Sequence, residues 1–283
     1  MESRLTWGER TYLMGIVNVT PDSFSGDGLA PPDRGIDEIV AAAVEQAEAM
    51  VAAGAEIIDV GAESTRPRGA YGDREPVDAG TEAALAIPVV QAVTAAIEDR
   101  AVVSIDTTKG TVARAALAAG ARMVNDVWGA TLDADTAVAA AEADAHLVLM
   151  HNQEERRYAA GVFETVAGWL RMAVEAAVER GVARERIIID PGIGFGKGID
   201  DNLELLHRLA ELKAALGGMP LLVGTSRKRF LGELLDGAAP EDRVEGTAAT
   251  VALAIGAGAD IVRVHDVAHI ARTRRVADAI VRQ

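Results

Sequence analysis

Eight short runs of apolar, largely β-branched residues recur along the chain, each running into a polar residue: LMGIVN (13–18), EIIDVGAES (56–64), VVSIDT (102–107), MVNDV (123–127), HLVLMH (146–151), IIIDPG (187–192), LLVGTS (221–226) and IVRVHD (261–266). They lack the apolar/polar alternation of half-exposed strands, so they read as strands buried on both faces, as in a parallel sheet covered by helices. Helical stretches lie between them. The clearest is Ile36–Ala53, where Ile36, Ile39, Val40, Ala43, Val44, Ala47, Met50 and Val51 form a stripe at three- and four-residue spacing, with Gly54 as its stop. Helix, glycine and strand follow one another again in AAGAEIIDV, AAGARMVNDV and GAGADIVRVHD, a weak internal repeat of one βα unit.

Eight such units in 283 residues, roughly 35 each, close most simply as a single-domain (β/α)8 TIM barrel spanning 1–283. An open doubly wound sheet is the structural runner-up. It would favour spaced glycines after the first strand, where this chain reads NVTPDSFSGDG. No linker, low-complexity segment or second domain stands out.

A formal charge of -15 opposes general binding to nucleic acid or anionic membranes, so an anionic substrate needs a local basic patch. The absence of cysteine removes disulfides and thiolate metal sites and fits a reducing cytoplasm. The opening MESRLTWGERTYLMG has no apolar signal core, and the small-residue stretch 248–259 is shorter than the roughly 18 residues of a membrane span.

In a barrel, residues at the C-terminal strand ends converge on one mouth. Here they are Asn18, Glu63 with Ser64, Thr65 and Arg66, Asp106, Asn125 with Asp126, His151, Asp190, Ser226 with Arg227 and Lys228, and Arg263 with His265 and Asp266. Singly, Asp126 or Asp266 reads equally well as a helix cap. Together the rim sorts into two kinds. Asp106, Asn125 and Asp190 offer acceptors for a flat heterocycle bearing several N–H donors, such as a guanine-like or pterin edge. Arg66, Arg263 and His265, with Ser64, Thr65 and Asn18, suit a phosphate or pyrophosphate and its magnesium. Lys228 can serve either half. Residues 20–32 and 66–76 are polar, glycine- and proline-bearing, and read as loops that close over substrate, with ordinary surface loops as the alternative.

MGIVNVTPDSFS, GAESTRP, SIDT, VNDV, DPGIGFGK, GTSRKRFLG and RVHD, in this order over nearly the whole chain, closely resemble the dihydropteroate synthase family. The resemblance implies transfer of a pterin methylene from 6-hydroxymethyl-7,8-dihydropterin pyrophosphate to p-aminobenzoate, with release of pyrophosphate, by a magnesium-dependent and usually homodimeric enzyme that is the target of sulfonamides. Carried over by position, Asp106, Asn125, Asp190 and Lys228 resemble the pterin-binding set, with Gly224, Phe195 and Met150 lining the pocket; Met150 reads equally well as core. Asn18 resembles the magnesium and pyrophosphate contact, and Thr65, Arg66, Arg263 and His265 further pyrophosphate contacts. Phe24, Pro67, Phe195, Lys228 and Arg229 would surround p-aminobenzoate. Asp106, Lys228, Arg66 and Asn125 are the catalytic candidates. The chain departs from the family at DSFSGDG, where the acid is displaced to Asp27, in the longer segment after STRP, and at Arg229.

Loss of pyrophosphate leaves a cation delocalised into the pterin ring, and Asp106 is the candidate to stabilise it. Three readings compete: a pterin-dependent methyltransferase, a paralogue that binds pterin without turnover, and a phosphate-binding aldolase with Lys228 as its Schiff base. His146 and His207 read as packing or surface residues and His269 as part of the last helix, and His151 lacks neighbours at zinc-ligand spacing.

Overall fold

The computed structural model describes residues 5–20, 28–31, 34–63 and 77–282. The strands are β1 (Tyr12–Asn18), β2 (Ile57–Gly61), β3 (Val102–Asp106), β4 (Met123–Asp126), β5 (His146–Met150), β6 (Ile187–Asp190), β7 (Leu222–Val223) and β8 (Ile261–Val264). The helices are α1 (Ile36–Ala53), α2 (Ala79–Ile97), α3 (Gly110–Ala118), α4 (Asp135–Glu142), α5 (Val162–Glu179), α6 (Ile199–His207), α7 (Leu209–Ala215), α8 (Arg229–Leu234), α9 (Val244–Gly256) and α10 (Val267–Val281). All strand pairs are parallel, in the order β6-β5-β4-β3-β2-β1-β8-β7. A parallel bridge from Ile189 to Leu221 brings β6 beside β7 and closes the (β/α)8 barrel. The eight apolar runs are thus the eight staves. Two connections are richer than one helix each, because α7 follows α6 before β7, and α8 precedes α9 before β8.

The first helix has the bounds its periodicity predicts. Gly54 ends it at φ 108°, a left-handed conformation suited to glycine, and returns its N–H to the carbonyls of Met50 and Val51. Ile39, Ala43, Ala47 and Met50 are its buried face. Ile36 departs from the expected stripe: it opens the helix ahead of the packed face and is 40% exposed. The segment Ala79–Arg100 is 22 residues long and apolar enough to cross a bilayer. Here Ala86, Val89, Val90, Val93 and Ile97 of α2 are fully buried, and the helix packs on β2 and β3. Its composition is accounted for by the outer layer of a barrel.

Strand alternation divides the core in two. Leu13, Val17, Ile58, Val60, Val103 and Ile105 belong to the large core shared with the helices. Tyr12, Met14, Ile57, Val102, Met123, Val148, Ile188, Leu222 and Ile261 form a separate core inside the barrel, against which Leu5 and Trp7 pack. A fully buried side chain of this size contributes roughly 1.5–3 kcal/mol relative to an exposed one. Because side chains on one strand face recur every second residue, the next inward positions after this layer are Ile16, Asp59, Ser104, Asn125, Met150, Asp190, Gly224 and Arg263. The deeper layer is apolar; in this one polar side chains predominate, with Ile16 and Met150 among them.

Candidate active site

The register sets the polar layer at similar height. Gly61 pairs with Asp106, and Asp106 with Asn125. Met150 pairs with Asp190, and Met14 with Arg263. Asp106, Asn125 and Asp190 are all less than 8% exposed.

Arg263 ties two of these strands together. Its Nη2 donates to Asp106 Oδ2 at 2.9 Å, and its Nε donates to Asp59 Oδ2 at 2.7 Å. The same Asp59 oxygen accepts from Asn125 Nδ2 at 2.9 Å. Burial pushes the Asp106 carboxyl well above the usual carboxylate range; Arg263 pulls it back, and the charge of Asp59 adds to the rise. Asp106 Oδ1 is buried without a hydrogen-bond partner among the described residues, leaving an acceptor available to an N–H donor.

Asp190, Phe195 and Lys228 meet through the loop after β6. Burial raises the Asp190 pKa while the Lys228 ammonium lowers it, and Asp190 Oδ1 accepts Gly192 N–H at 2.7 Å. Lys228 donates to the Ile193 carbonyl, and its Nζ stands 4.5 Å from the centre of the Phe195 ring. Gly224 leaves room between the two cations: a β-carbon there would lie 3.7 Å from Arg263 Cβ and 3.9 Å from Lys228 Nζ. These contacts bring Asp106, Asn125, Asp190, Gly224, Lys228 and Arg263 into one opening. Met150 ends β5 beside Asp190, is 2% exposed and lies outside both hydrophobic clusters.

Gly192 is indispensable to this loop. It holds φ 68°, and a β-carbon would drive into the His151 carbonyl oxygen. Gly192→Ala therefore combines left-handed strain with a backbone clash and is expected to cost about 3 kcal/mol or more. Urea unfolding measures the loss, and a change below about 0.5 kcal/mol would mean that the loop relaxes freely.

Other rim candidates are occupied by structural contacts. Glu63 pairs with Lys109, which also meets the buried Glu82 at 2.5 Å, and Glu63 Oε1 accepts Val77 N–H at 3.0 Å. Asp126 accepts Trp128 N–H at 2.9 Å and the Thr136 hydroxyl at 2.7 Å, the local bonding expected of a turn aspartate. Asp266 pairs with Arg227 at 2.7 Å. It does not cap α10 through its side chain. His151 Nδ1 lies 3.0 Å from Lys197 Nζ, and its ring meets Trp169 edge-on. Burial depresses His151 to about 3 and Lys197 to about 7. His265 stays at the mouth, with Nδ1 3.0 Å from Ser226 Oγ. The Arg229 side chain turns outward to Glu233 at 2.8 Å and is 66% exposed, leaving the α8 backbone nearest to Lys228. Asn18 ends β1, where its carbonyl accepts Leu29 N–H at 2.9 Å. Phe24, Ser64, Thr65, Arg66, Pro67 and Asp27 lie outside the described residues.

Sequence reasoning passed over Asp59 and Lys197. Asp59 had a signal, a charged residue in the middle of the apolar run IIDVG, where an isolated carboxylate is costly unless bonded. Lys197 ends the DPGIGFGK motif, but nothing in its spacing marks it as the neighbour of His151.

A family model for pterin binding enzymes matches residues 14–265. A dihydropteroate synthase from Synechocystis sp. is 45% identical over 280 residues, covering 97% of this chain and 91% of that protein. The structure of a dihydropteroate synthase from Clostridium difficile in the presence of pteroic acid superposes with a TM-score of 0.88 at 42% identity, covering 99% of this chain and 100% of that one. A Xanthomonas albilineans dihydropteroate synthase with 4-aminobenzoic acid gives 0.85 at 39% identity, with 96% of this chain and 93% of that one covered. The chain belongs to the pterin-binding enzyme family and, within it, to the dihydropteroate synthases.

Proposed function

We propose that the chain condenses 6-hydroxymethyl-7,8-dihydropterin pyrophosphate with p-aminobenzoate, giving 7,8-dihydropteroate and pyrophosphate. The observation that carries this reading is the meeting of Asp106 and Arg263 at 2.9 Å in the mouth of the barrel. An acceptor for a heterocycle edge and a donor for an anionic leaving group stand there side by side. The ligands of the two solved relatives, pteroic acid and 4-aminobenzoic acid, are the product skeleton and the second substrate of this reaction.

Asp106, Asn125 and Asp190 would accept or share hydrogen bonds with the pterin edge, with Gly224 and Phe195 as walls and Met150 against the ring. Lys228, held between the Ile193 carbonyl and the Phe195 ring, would reach both pterin and p-aminobenzoate. Arg263 and His265, with Thr65 and Arg66, would bind the pyrophosphate, and Phe24, Pro67 and the Arg229 backbone would border the arylamine. As the C–O bond to pyrophosphate breaks, the ring gains positive charge that Asp106 offsets while the cationic side neutralises the leaving group. The amine then attacks the methylene carbon and loses a proton. An arylamine is already nucleophilic and needs no strong base.

Among the described residues no group of three His, Cys, Asp or Glu side chains could hold a resident metal. A single amide oxygen at Asn18 instead suits magnesium that keeps most of its water and arrives with substrate phosphates. Asn18 would hold it, and when bound it supplies charge neutralisation to the leaving group. A cytoplasmic location fits the absence of cysteine. A homodimer is supported by exposed Leu253 on α9 and exposed Val276 and Ile280 on α10, two helices packed against each other.

Purified protein given the pterin pyrophosphate, p-aminobenzoate and magnesium is expected to form dihydropteroate and pyrophosphate in equal amounts, and a chelator to suppress both. Pterin binding without pyrophosphate release would refute the synthase reading.

A further inference from the structure

Asp59 lies on β2, two residues beyond the interior Ile57, with a fully buried side chain. We propose that Asp59 is a positioning residue: its carboxylate fixes the Arg263 guanidinium and the Asn125 amide in the orientations that the two halves of the substrate require. The inference rests on the roles proposed above for Arg263 and Asn125.

Guanidinium donors are a rigid planar fork, so two bonds to different carboxylates determine where the rest of the fork points. Nε goes to Asp59 at 2.7 Å and Nη2 to Asp106 at 2.9 Å. These bonds tie the end of the Arg263 side chain to β2 and β3, leaving the two Nη1 N–H groups outside both bonds. Asn125 is oriented by the same atom. With Nδ2 donating to Asp59 Oδ2 at 2.9 Å, its Oδ1 is directed away as an acceptor. One buried oxygen thereby sets a cation for the leaving group and an amide for the heterocycle. Asp59 itself is fully buried in the same layer, bonded to both side chains and closed off from the opening. Among the described residues, removing it leaves the Arg263 side chain bonded to Asp106 alone and the Asn125 amide without its hydrogen-bond partner.

Asp59→Ala removes the bonds and the charge, whereas Asp59→Asn keeps one oxygen able to accept both donors and removes the charge, setting an amide NH2 where Oδ1, without a hydrogen-bond partner among the described residues, stands. Asp59→Ala is expected to lower kcat/KM for the pterin pyrophosphate about 100-fold, and Asp59→Asn to restore about ten-fold of that. Combining Asp59→Ala with Arg263→Ala is expected to cost no more than about two-fold beyond Arg263→Ala alone, because residues acting through one another are non-additive. The pH profile gives a separate readout. The charged groups around Asp106 are Arg263, Asp59, Glu82 and Asp126, so removing the Asp59 charge is expected to move the acid limb of kcat/KM to lower pH.

Multiplying losses in the double variant, or a lower Tm with unchanged kcat/KM, would overturn the inference. If Asp59→Ala does not fold, an unchanged kcat/KM and pH limb in Asp59→Asn would do the same. Full activity in Arg263→Ala would instead overturn the role of Arg263 itself, and this inference with it. A damaged Arg263→Ala beside unaffected Asp59 variants would sink the role of Asp59 alone.

Discussion

Asp106→Asn is expected to reduce turnover about a thousand-fold while leaving the fold intact. The side chain keeps its shape and one acceptor oxygen but loses its charge. A carboxylate about 4 Å from a developing cation gains roughly 4 kcal/mol at an effective dielectric near 20, which corresponds to nearly three powers of ten in rate. The site is arranged to make that charge conditional. Burial raises the Asp106 pKa, against the pull of Arg263, so the ionised form gains population as pH rises. An N–H donor from the pterin to the unpartnered Oδ1 would favour the same form. In the unmodified protein kcat/KM should therefore rise with pH on the acid side, and in Asp106→Asn that limb should shrink to the part set by Asp190, whose pKa burial also raises. Steady-state rates across pH measure both effects. A fall in turnover below about ten-fold would show that the charge of Asp106 does not stabilise the transition state.

The second large effect is expected from Arg263→Ala. Arg263 is the shared counter-ion of the fully buried Asp59 side chain and of Asp106. Removing one partner of a buried ion pair typically costs about 3–5 kcal/mol, because a charge is left uncompensated. Urea unfolding should report a loss of that order, reduced to the extent that Asp106 takes up a proton. Loss of charge-assisted bonds should also weaken pyrophosphate inhibition about 10- to 100-fold, with a much smaller change for the free pterin. Arg263→Lys keeps a charge without the planar fork and should recover stability better than pyrophosphate affinity. Equal losses of pyrophosphate and pterin affinity would make Arg263 a structural residue only.

These effects depend on a layer of the barrel that was only partly legible beforehand. Asp106, Asn125, Asp190 and Arg263 ended recognisable strands, so their convergence followed from the barrel once the strands were counted. Asp59 sat inside such a run rather than at its end, and its charge there was the one local sign of a buried bond. Glu63, His151 and Asp126 looked like site groups because they too ended strands, yet their bonds to Lys109, Lys197 and Thr136 belong to the scaffold. Nothing local distinguishes a rim carboxylate that faces substrate from one already paired with a lysine.

The amino-acid sequence by itself determined the number and order of the strands, the extent of α1 with its glycine stop, and the motifs that place the chain in its family. Those properties depend on spacings of a few residues, because side chains recur every two positions along a strand and about every 3.6 along a helix. Only the tertiary structure decided which charges are shared. Arg263 lies 157 residues from Asp106 and 204 from Asp59. Barrel closure sets β8 beside β1 and lets one guanidinium reach across to β2 and β3. A contact over that distance in the chain leaves no periodic trace, since its geometry comes from the register of strands that only the closed sheet establishes.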